Sequence, residues 1–479
     1  MATTFYFFDL ETSGFRARED RIMQFAGQRT DKDLKPIGDP DNILIKMTDD
    51  VLPQPDAILI TGITPQATRA GGITEAEFCK YFVEQIATPD TIMVGFNNIR
   101  FDNEFIRFTL WRNFYDAYEW SWKNGCSTWD LLDVTRMTRG LRPDGIKWPF
   151  APDGKPSNRL ESLASINKLE HANAHDALSD VNATIDMARL VKTKQPKLFD
   201  YLLANRGKNK VAPLVTSGQP LIYTSGRYPS DWQKTTVAVM VAAHPDKDAA
   251  LMYDVRIDPE QFANLSPAEL AKRWQDREEN APYFPVKILT YNRCPAIAPI
   301  STLDKASEER LQLQKEIIDK HFAKLQKQTD LGDKLVAALE ITNKKYKDQQ
   351  SLVVDETKVD GALYDGFVSD ADKTKMRVVR AADANSLADL HLDFADERLK
   401  YLLPLYKARN FPASLAEDEV TWWENFKQHR LLGGDQKSKA ASYFKRLGEL
   451  AQQPGLSPEQ QYLLEELQLY GQSVLPEPQ

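Results

Sequence analysis

The chain has 479 residues, 42% of them hydrophobic and 27% charged, with a formal net charge of −8. That balance fits a globular protein of two or three packed units, because a single core seldom serves a chain beyond about 300 residues, and it excludes a disordered polymer or a surface basic enough to wrap nucleic acid everywhere. No apolar run approaches the roughly 20 residues that cross a bilayer, and Cys79, Cys126 and Cys294 are too few and too scattered for a disulfide framework or a zinc site. The opening MATTFYFFDLET has neither the basic flank nor the small-residue cleavage site of a secretory signal, so a cytoplasmic protein without membrane association is expected.

In chain order, TTFYFFDL reads as a buried strand whose end carries Asp9 and Glu11, with Ile22 to Arg29 and Ile43 to Met47 as neighbouring strands. A helical stretch near Glu75 to Ala87 precedes the short apolar run TIMVG, Thr91 to Gly95, and a further helix is predicted from about Asp102. Strands alternating with helices imply an α/β layer. Two more helices follow: Ser157 to Leu169, with Leu160, Leu163 and Ala164 at helical spacing, and Asp176 to Lys194, with Val181, Ile185 and Ala188 on one face. The stretch 192–213 sets Lys192, Lys194, Lys197, Arg206, Lys208 and Lys210 against Asp200 alone and reads as a basic connector. From Val215 to about Ile300 short β-branched runs such as TTVAVMVAAH and PVKILTY predict a small β-rich domain. Beyond about Glu308 the pattern is helical, including VTWWENFKQHRLL and PEQQYLLEELQLY.

The residues that carry chemistry are acids. Asp9 and Glu11, two apart on a strand, project from one face, although acids at a strand end can equally be solvated turn residues. Asp102 can be a metal-site acid or a helix N-cap. In HANAHDALSDVNAT, His175 precedes a helix and Asp180 lies in its early turns; five residues turn a helix by about 140°, so His175 must sit on the entering loop to share a site with Asp180. A capping or core role for His175 and a solvated charge for Asp180 are the alternatives. Brought together at one edge of a sheet, carboxylates ~4 Å apart repel by about 4 kcal/mol at an effective dielectric near 20. Divalent cations resolve that conflict, and hard oxygen ligands suit Mg²⁺ or Mn²⁺. Two such ions ready a water and stabilise the leaving oxygen of a phosphodiester, and His175 could take the water's proton.

At FDLET, NNIRFD and HDALSD the chain resembles the proofreading-type 3′-to-5′ exonucleases, whose three motifs these match in order. The resemblance implies an RNase H-like fold over about the first 190 residues, Asp9, Glu11, Asp102 and Asp180 as catalytic metal-site acids, and His175 as general base. Further stretches, among them LPQPDAILITGITPQ, RNFYDAYEWSWKNG, STWDLLDV, LRPDGIKWP, PVKILTYNRCP, ALYDGFVSDAD and YKARNFP, narrow the likeness to the bacterial exonuclease I family. That family implies three domains: an α/β RNase H-like exonuclease domain over 1–194, an SH3-like β domain with a helical extension over 195–348, and a helical C-terminal domain over 349–479. The implied activity is 3′-to-5′ hydrolysis of single-stranded DNA to 5′-mononucleotides with two Mg²⁺ ions, Mn²⁺ being an alternative.

Positions matching the family's strand contacts are Arg107, Tyr118, Trp122, Arg136, Arg142, Arg159, Tyr201, Lys208, Lys287, Asn292 and Tyr364. Aromatic rings let bases stack without sequence preference while Lys and Arg neutralise phosphates; core packing and solvated surface charge are the structural alternatives. The resemblance also implies a monomer that docks the acidic, hydrophobic C-terminal tail of the single-stranded DNA-binding protein. Two other functions stay open on the residues alone. An RNA-directed exonuclease would use the same acids, and a non-catalytic strand-binding scaffold would keep only the strand-binding side chains.

Overall fold

The structure, a computed structural model, describes residues 3–169, 176–276, 278, 281–349, 355–388, 390–434 and 437–475. The chain divides into two compact units, one of Met1–Ser127, Ala172–Asn182 and Val353–Gln479, the other of Thr128–His171 and Ala183–Leu352.

In the first unit the aromatic run at the N-terminus forms β1, Thr4–Thr12, flanked by β2, Ile22–Thr30, β3, Asp41–Leu44, and β4, Thr91–Gly95, in the spatial order β3-β2-β1-β4. β1 runs antiparallel to β2, with Asp9 opposite Ala26 and Glu11 opposite Gln24, and parallel to β4, with Phe7 opposite Val94. Alternation along β1 sends Tyr6, Phe8 and Leu10 to one face, where they pack with Phe25, Phe78, Phe82, Phe105 and Ile106 from the strand beside them and the helices above. Asp9 and Glu11 share the opposite parity with Phe5 and Phe7. Because β1 and β4 are parallel, both end at the same edge of the sheet, and the segment leaving β4 opens the Asp102–Arg112 helix there.

Most predicted elements of this unit occur close to their expected bounds. The first helix is shorter: it is α-helical over Glu75–Tyr81 and continues as a π-helical turn, Phe82–Ile86, closed by Ala87 N–H on Phe82 O at 2.8 Å. The C-terminal helices belong to the same unit. Trp111 and Phe114 pack with Leu399, Leu402, Trp423 and Phe426, while Met23, Met47 and Ile58 pack with Leu447, Leu463 and Leu467. Between these apolar clusters lie Arg21, Asp50, Glu75, Arg112, Asp360, Arg409 and Arg430, all buried.

The second unit holds an all-antiparallel five-stranded sheet. It comprises β6, Leu221–Thr224, β7, Thr235–Ala243, β8, Ala249–Asp254, β9, Val286–Thr290, and β10, Ala296–Pro299, in the order β10-β6-β7-β8-β9; strand β5, Ser127–Asp130, precedes them in the chain. Tyr223, Ala238, Met252, Leu289 and Ile297 form its core. The stretch expected as a basic connector is helical instead, Pro196–Ala204 and Lys208–Thr216. Proline suits the first turn of a helix, and Leu198, Phe199 and Leu202 are buried along one side, so the lysines that suggested a linker are the solvent face of amphipathic helices. Helices Lys305–Arg310, Lys315–Lys327 and Leu331–Gln349 follow the sheet.

Candidate active site

β1 places Asp9 and Glu11 on one side of the strand, and the early turns of the Ala177–Lys194 helix bring Asp180 to them. Asp9, Glu11 and Asp180 each offer a carboxylate oxygen, and these oxygens lie within 4.8 Å of one another. Asp102 is the first residue of its helix, behind Phe101 at the N-cap, so the capping alternative does not hold. It is buried and does not belong to that set of three, yet its charge bears on them. Burial first, then Asp102, Asp180 and Glu11, raise the Asp9 carboxyl well above its ordinary range. Burial, then Asp180, Asp102 and Asp176, push Glu11 up to about 8.

A protein that gathers four acids in this way holds charge it cannot comfortably keep. Protons or cations must answer it, and a donor set made only of hard carboxylate oxygens fits a divalent cation. Asp176 was not among the residues predicted from sequence. It precedes the Ala177 helix, accepts a 3.3 Å hydrogen bond from Ser179 N–H and adds its field to Glu11; the acid-rich HDALSD was the signal for it. His175 lies outside the described residues.

Of the expected strand-binding residues, three meet in the first unit. Arg107 Nη1 is 2.7 Å from Glu104 Oε1, and the guanidinium lies over the Tyr118 ring at 5.6 Å. Tyr364 Oη donates to the other Glu104 oxygen at 2.5 Å, and the Tyr118 and Tyr364 rings are 6.5 Å apart. Glu104, two residues after Asp102, thus organises a cation and a tyrosine. Sequence reasoning passed over it, although its spacing of three from Arg107 was legible. Trp122 is 64% exposed on the following loop.

In the second unit several of the expected cations already have partners. Arg136 is 2.7 Å from Asp133, Lys208 is 2.5 Å from Asp248, and Arg142 donates to Thr302 O at 2.8 Å and lies 3.1 Å from Asp304. Lys287 donates to Phe284 O at 3.0 Å over the Tyr283 ring. Arg159 at the N-cap of the Leu160–Asn167 helix and Asn292 after β9 are exposed, and Tyr201 is partly buried. Phosphates reaching Arg136, Arg142 or Lys208 would share these cations with carboxylates.

Three sequence families cover this architecture: "Exonuclease" matches residues 6–188, "Exonuclease I SH3-like domain" residues 206–340 and "Exonuclease I C-terminal domain" residues 357–474. Exodeoxyribonuclease I of Haemophilus influenzae is 37% identical over 98% of this chain and 99% of its own length. The chain belongs to the exodeoxyribonuclease I family. The Escherichia coli member is 41% identical over 88% of each chain, and the crystal structure of Escherichia coli exonuclease I in complex with a dA16 oligonucleotide superposes with a TM-score of 0.91 at 37% identity, over 98% of this chain and 100% of that one. The fold is therefore that of the family, an RNase H-like exonuclease domain, an SH3-like domain and a helical C-terminal domain, and the activity is 3′-to-5′ exonucleolytic hydrolysis of single-stranded DNA. Among the described residues no helix is long and apolar enough to cross a membrane.

Proposed function

We propose that the chain releases 5′-mononucleotides from the 3′ end of single-stranded DNA at the acid cluster, with two divalent cations, Mg²⁺ or in its place Mn²⁺, held by Asp9, Glu11, Asp102 and Asp180. The observation that carries this reading is the approach of the Asp9, Glu11 and Asp180 oxygens to within 4.8 Å of one another with two of the carboxyls raised by burial and mutual repulsion. When bound, a cation pair supplies neutralising charge, a water of lowered pKa and stabilisation of the leaving 3′ oxygen.

The chain's own residues do the rest. The four carboxylates fix where the scissile phosphate lies. His175, next to Asp176, takes the proton from the attacking water as general base; this role rests on the HDALSD match. Arg107, Arg136, Arg142, Arg159, Lys208 and Lys287 answer phosphates, Tyr118, Trp122, Tyr201 and Tyr364 stack bases, and Asn292 hydrogen-bonds the strand. The oligonucleotide held by the Escherichia coli relative supports carrying strand binding to this chain. The same reading assigns the domains as 1–194, 195–348 and 349–479, a monomer in the cytoplasm, and the C-terminal tail of the single-stranded DNA-binding protein as partner.

The experiment is a digest of 5′-labelled single-stranded DNA, duplex DNA and single-stranded RNA of one sequence, with Mg²⁺ and with chelator. Stepwise shortening of the DNA single strand, abolished by chelator, is expected. Shortening of the RNA alone, or shortening that persists in chelator, would overturn the reading.

A further inference from the structure

The Ala177–Lys194 helix, which brings Asp180 to the acid cluster, starts directly after Asp176. Asp176 Oδ2 accepts the Ser179 N–H at 3.3 Å, and the Asp176 backbone oxygen accepts the Asp180 N–H at 3.0 Å. Both bonds close the first turn, where a helix has no partners of its own for its leading N–H groups, so Asp176 holds the N-cap position. Ala177 and Val181, one turn apart on the same side of the helix, are buried. The buried pair fixes which side faces inward and the cap fixes the helix start, and together they set where the Asp180 carboxylate lies.

Capping alone does not call for an acid. Asn and Ser cap a helix about as well as Asp, and neither carries a charge. The charge of Asp176 does reach the cluster: it bears on Glu11, after burial, Asp180 and Asp102. It acts from outside the ligand set, because the carboxylates whose oxygens lie within 4.8 Å of one another are those of Asp9, Glu11 and Asp180. In a chain without cations a further acid at this place only adds repulsion. Beside a divalent cation the sign reverses, and attraction to a doubly charged ion exceeds repulsion from a single carboxylate at equal distance.

We propose that Asp176 is a positioning residue of the exonuclease site with two separable parts: its oxygens cap the helix that aims Asp180, and its negative charge, outside the ligand set, strengthens the hold of the acids on divalent cations. The assignment rests on the reading of the cluster as a cation site. It gives a task in the reaction to an acid that is not among Asp9, Glu11, Asp102 and Asp180.

The test compares the full chain with Asp176→Asn, which keeps a capping oxygen and removes the charge, and with Asp176→Ala, which removes both. Mn²⁺ binding is followed by electron spin resonance of the free ion, melting is recorded in chelator, and turnover of oligothymidylate is measured against cation concentration. Both variants should bind Mn²⁺ at least about tenfold more weakly, the size of effect seen when a group just outside a metal's ligands is removed. At saturating cation, kcat should fall at least about tenfold in Asp176→Ala and be largely restored in Asp176→Asn, because the cap returns while the charge does not. Should Asp176→Ala fail to fold, Asp176→Gly removes the same side-chain oxygens at a milder cost to the helix and takes its place. Parental Mn²⁺ affinity in Asp176→Asn, or the same kcat in the Asn and Ala variants, overturns the proposal. An unsubstituted chain that bound no Mn²⁺ and cut equally well in chelator would remove the cation reading instead. The cap would still be scored by melting, with Asp176→Ala expected below Asp176→Asn and equal melting of the two counting against it.

Discussion

Arg21 Nη2 donates a 2.8 Å hydrogen bond to Asp360 Oδ2 across 339 residues of sequence, both side chains buried. Asp360 also accepts from Arg409 at 2.8 Å and Arg430 at 3.0 Å, and Arg409 reaches Asp50 at 2.8 Å. Replacing Asp360 by Asn keeps the shape and removes the charge that several buried guanidiniums share. Breaking a buried pair from one side costs about 3–5 kcal/mol, and a loss of that size is expected in urea unfolding of Asp360→Asn. A loss below about 1 kcal/mol would show that Asp50 and Glu75 suffice for the cluster.

The same carboxylate sets an acid limb. Burial pushes Asp360 up, but Arg409, Arg21 and Arg430 outweigh it and hold it well below the usual carboxylate range. A depressed acid contributes stability that is present above its unfolded pKa of about 3.9 and is lost as pH falls toward its folded value. The unsubstituted chain should therefore lose stability more steeply than Asp360→Asn below about pH 4. Parallel stability curves for the two proteins in that range would remove Asp360 as a cause.

For the acid cluster the signs are reversed. Asp9 is raised by burial and by Asp102, Asp180 and Glu11, so in cation-free protein at neutral pH its charge works against folding. Asp9→Asn should raise the melting temperature in chelator, shrink the further gain on adding Mg²⁺, and lower turnover by at least about a thousandfold, roughly 4 kcal/mol of barrier. Strand binding should survive. Unchanged turnover, or a variant less stable than the parent in chelator, would take Asp9 out of the cluster's role.

Tyr364 permits its ring and its hydroxyl to be separated, because the hydroxyl is spent on Glu104 at 2.5 Å while the ring meets Phe108 edge-on at 5.5 Å. Tyr364→Phe should leave single-strand affinity within about threefold of the parent, well under the worth of one stacked base, and Tyr364→Ala should lose about 1–3 kcal/mol. If both variants lose equally in a titration with oligothymidylate, the hydrogen bond to Glu104 rather than stacking is what matters.

Strands and helices were legible where one face is strongly apolar, as at Tyr6, Phe8 and Leu10 on β1 and at Val181, Ile185 and Ala188 after Asp180. The stretch 192–213 misled because its lysines dominate the composition, while the three buried residues Leu198, Phe199 and Leu202 that make it helical are few and local. Glu104 escaped notice because a single acid on a helix looks like a surface charge until Tyr364, 260 residues away, donates to it.

By itself the sequence determined which short stretches become strand or helix and which of them bear acids, since side-chain periodicity and the resemblance of three motifs act within a few residues of chain. Only the tertiary structure decided that Asp9, Glu11 and Asp180 stand within 4.8 Å of one another and that Arg21 finds Asp360. Those outcomes depend on parallel pairing of β1 with β4 and on apolar burial between segments hundreds of residues apart, and the charges carried there are individually unfavourable in a core, so no local pattern announces them.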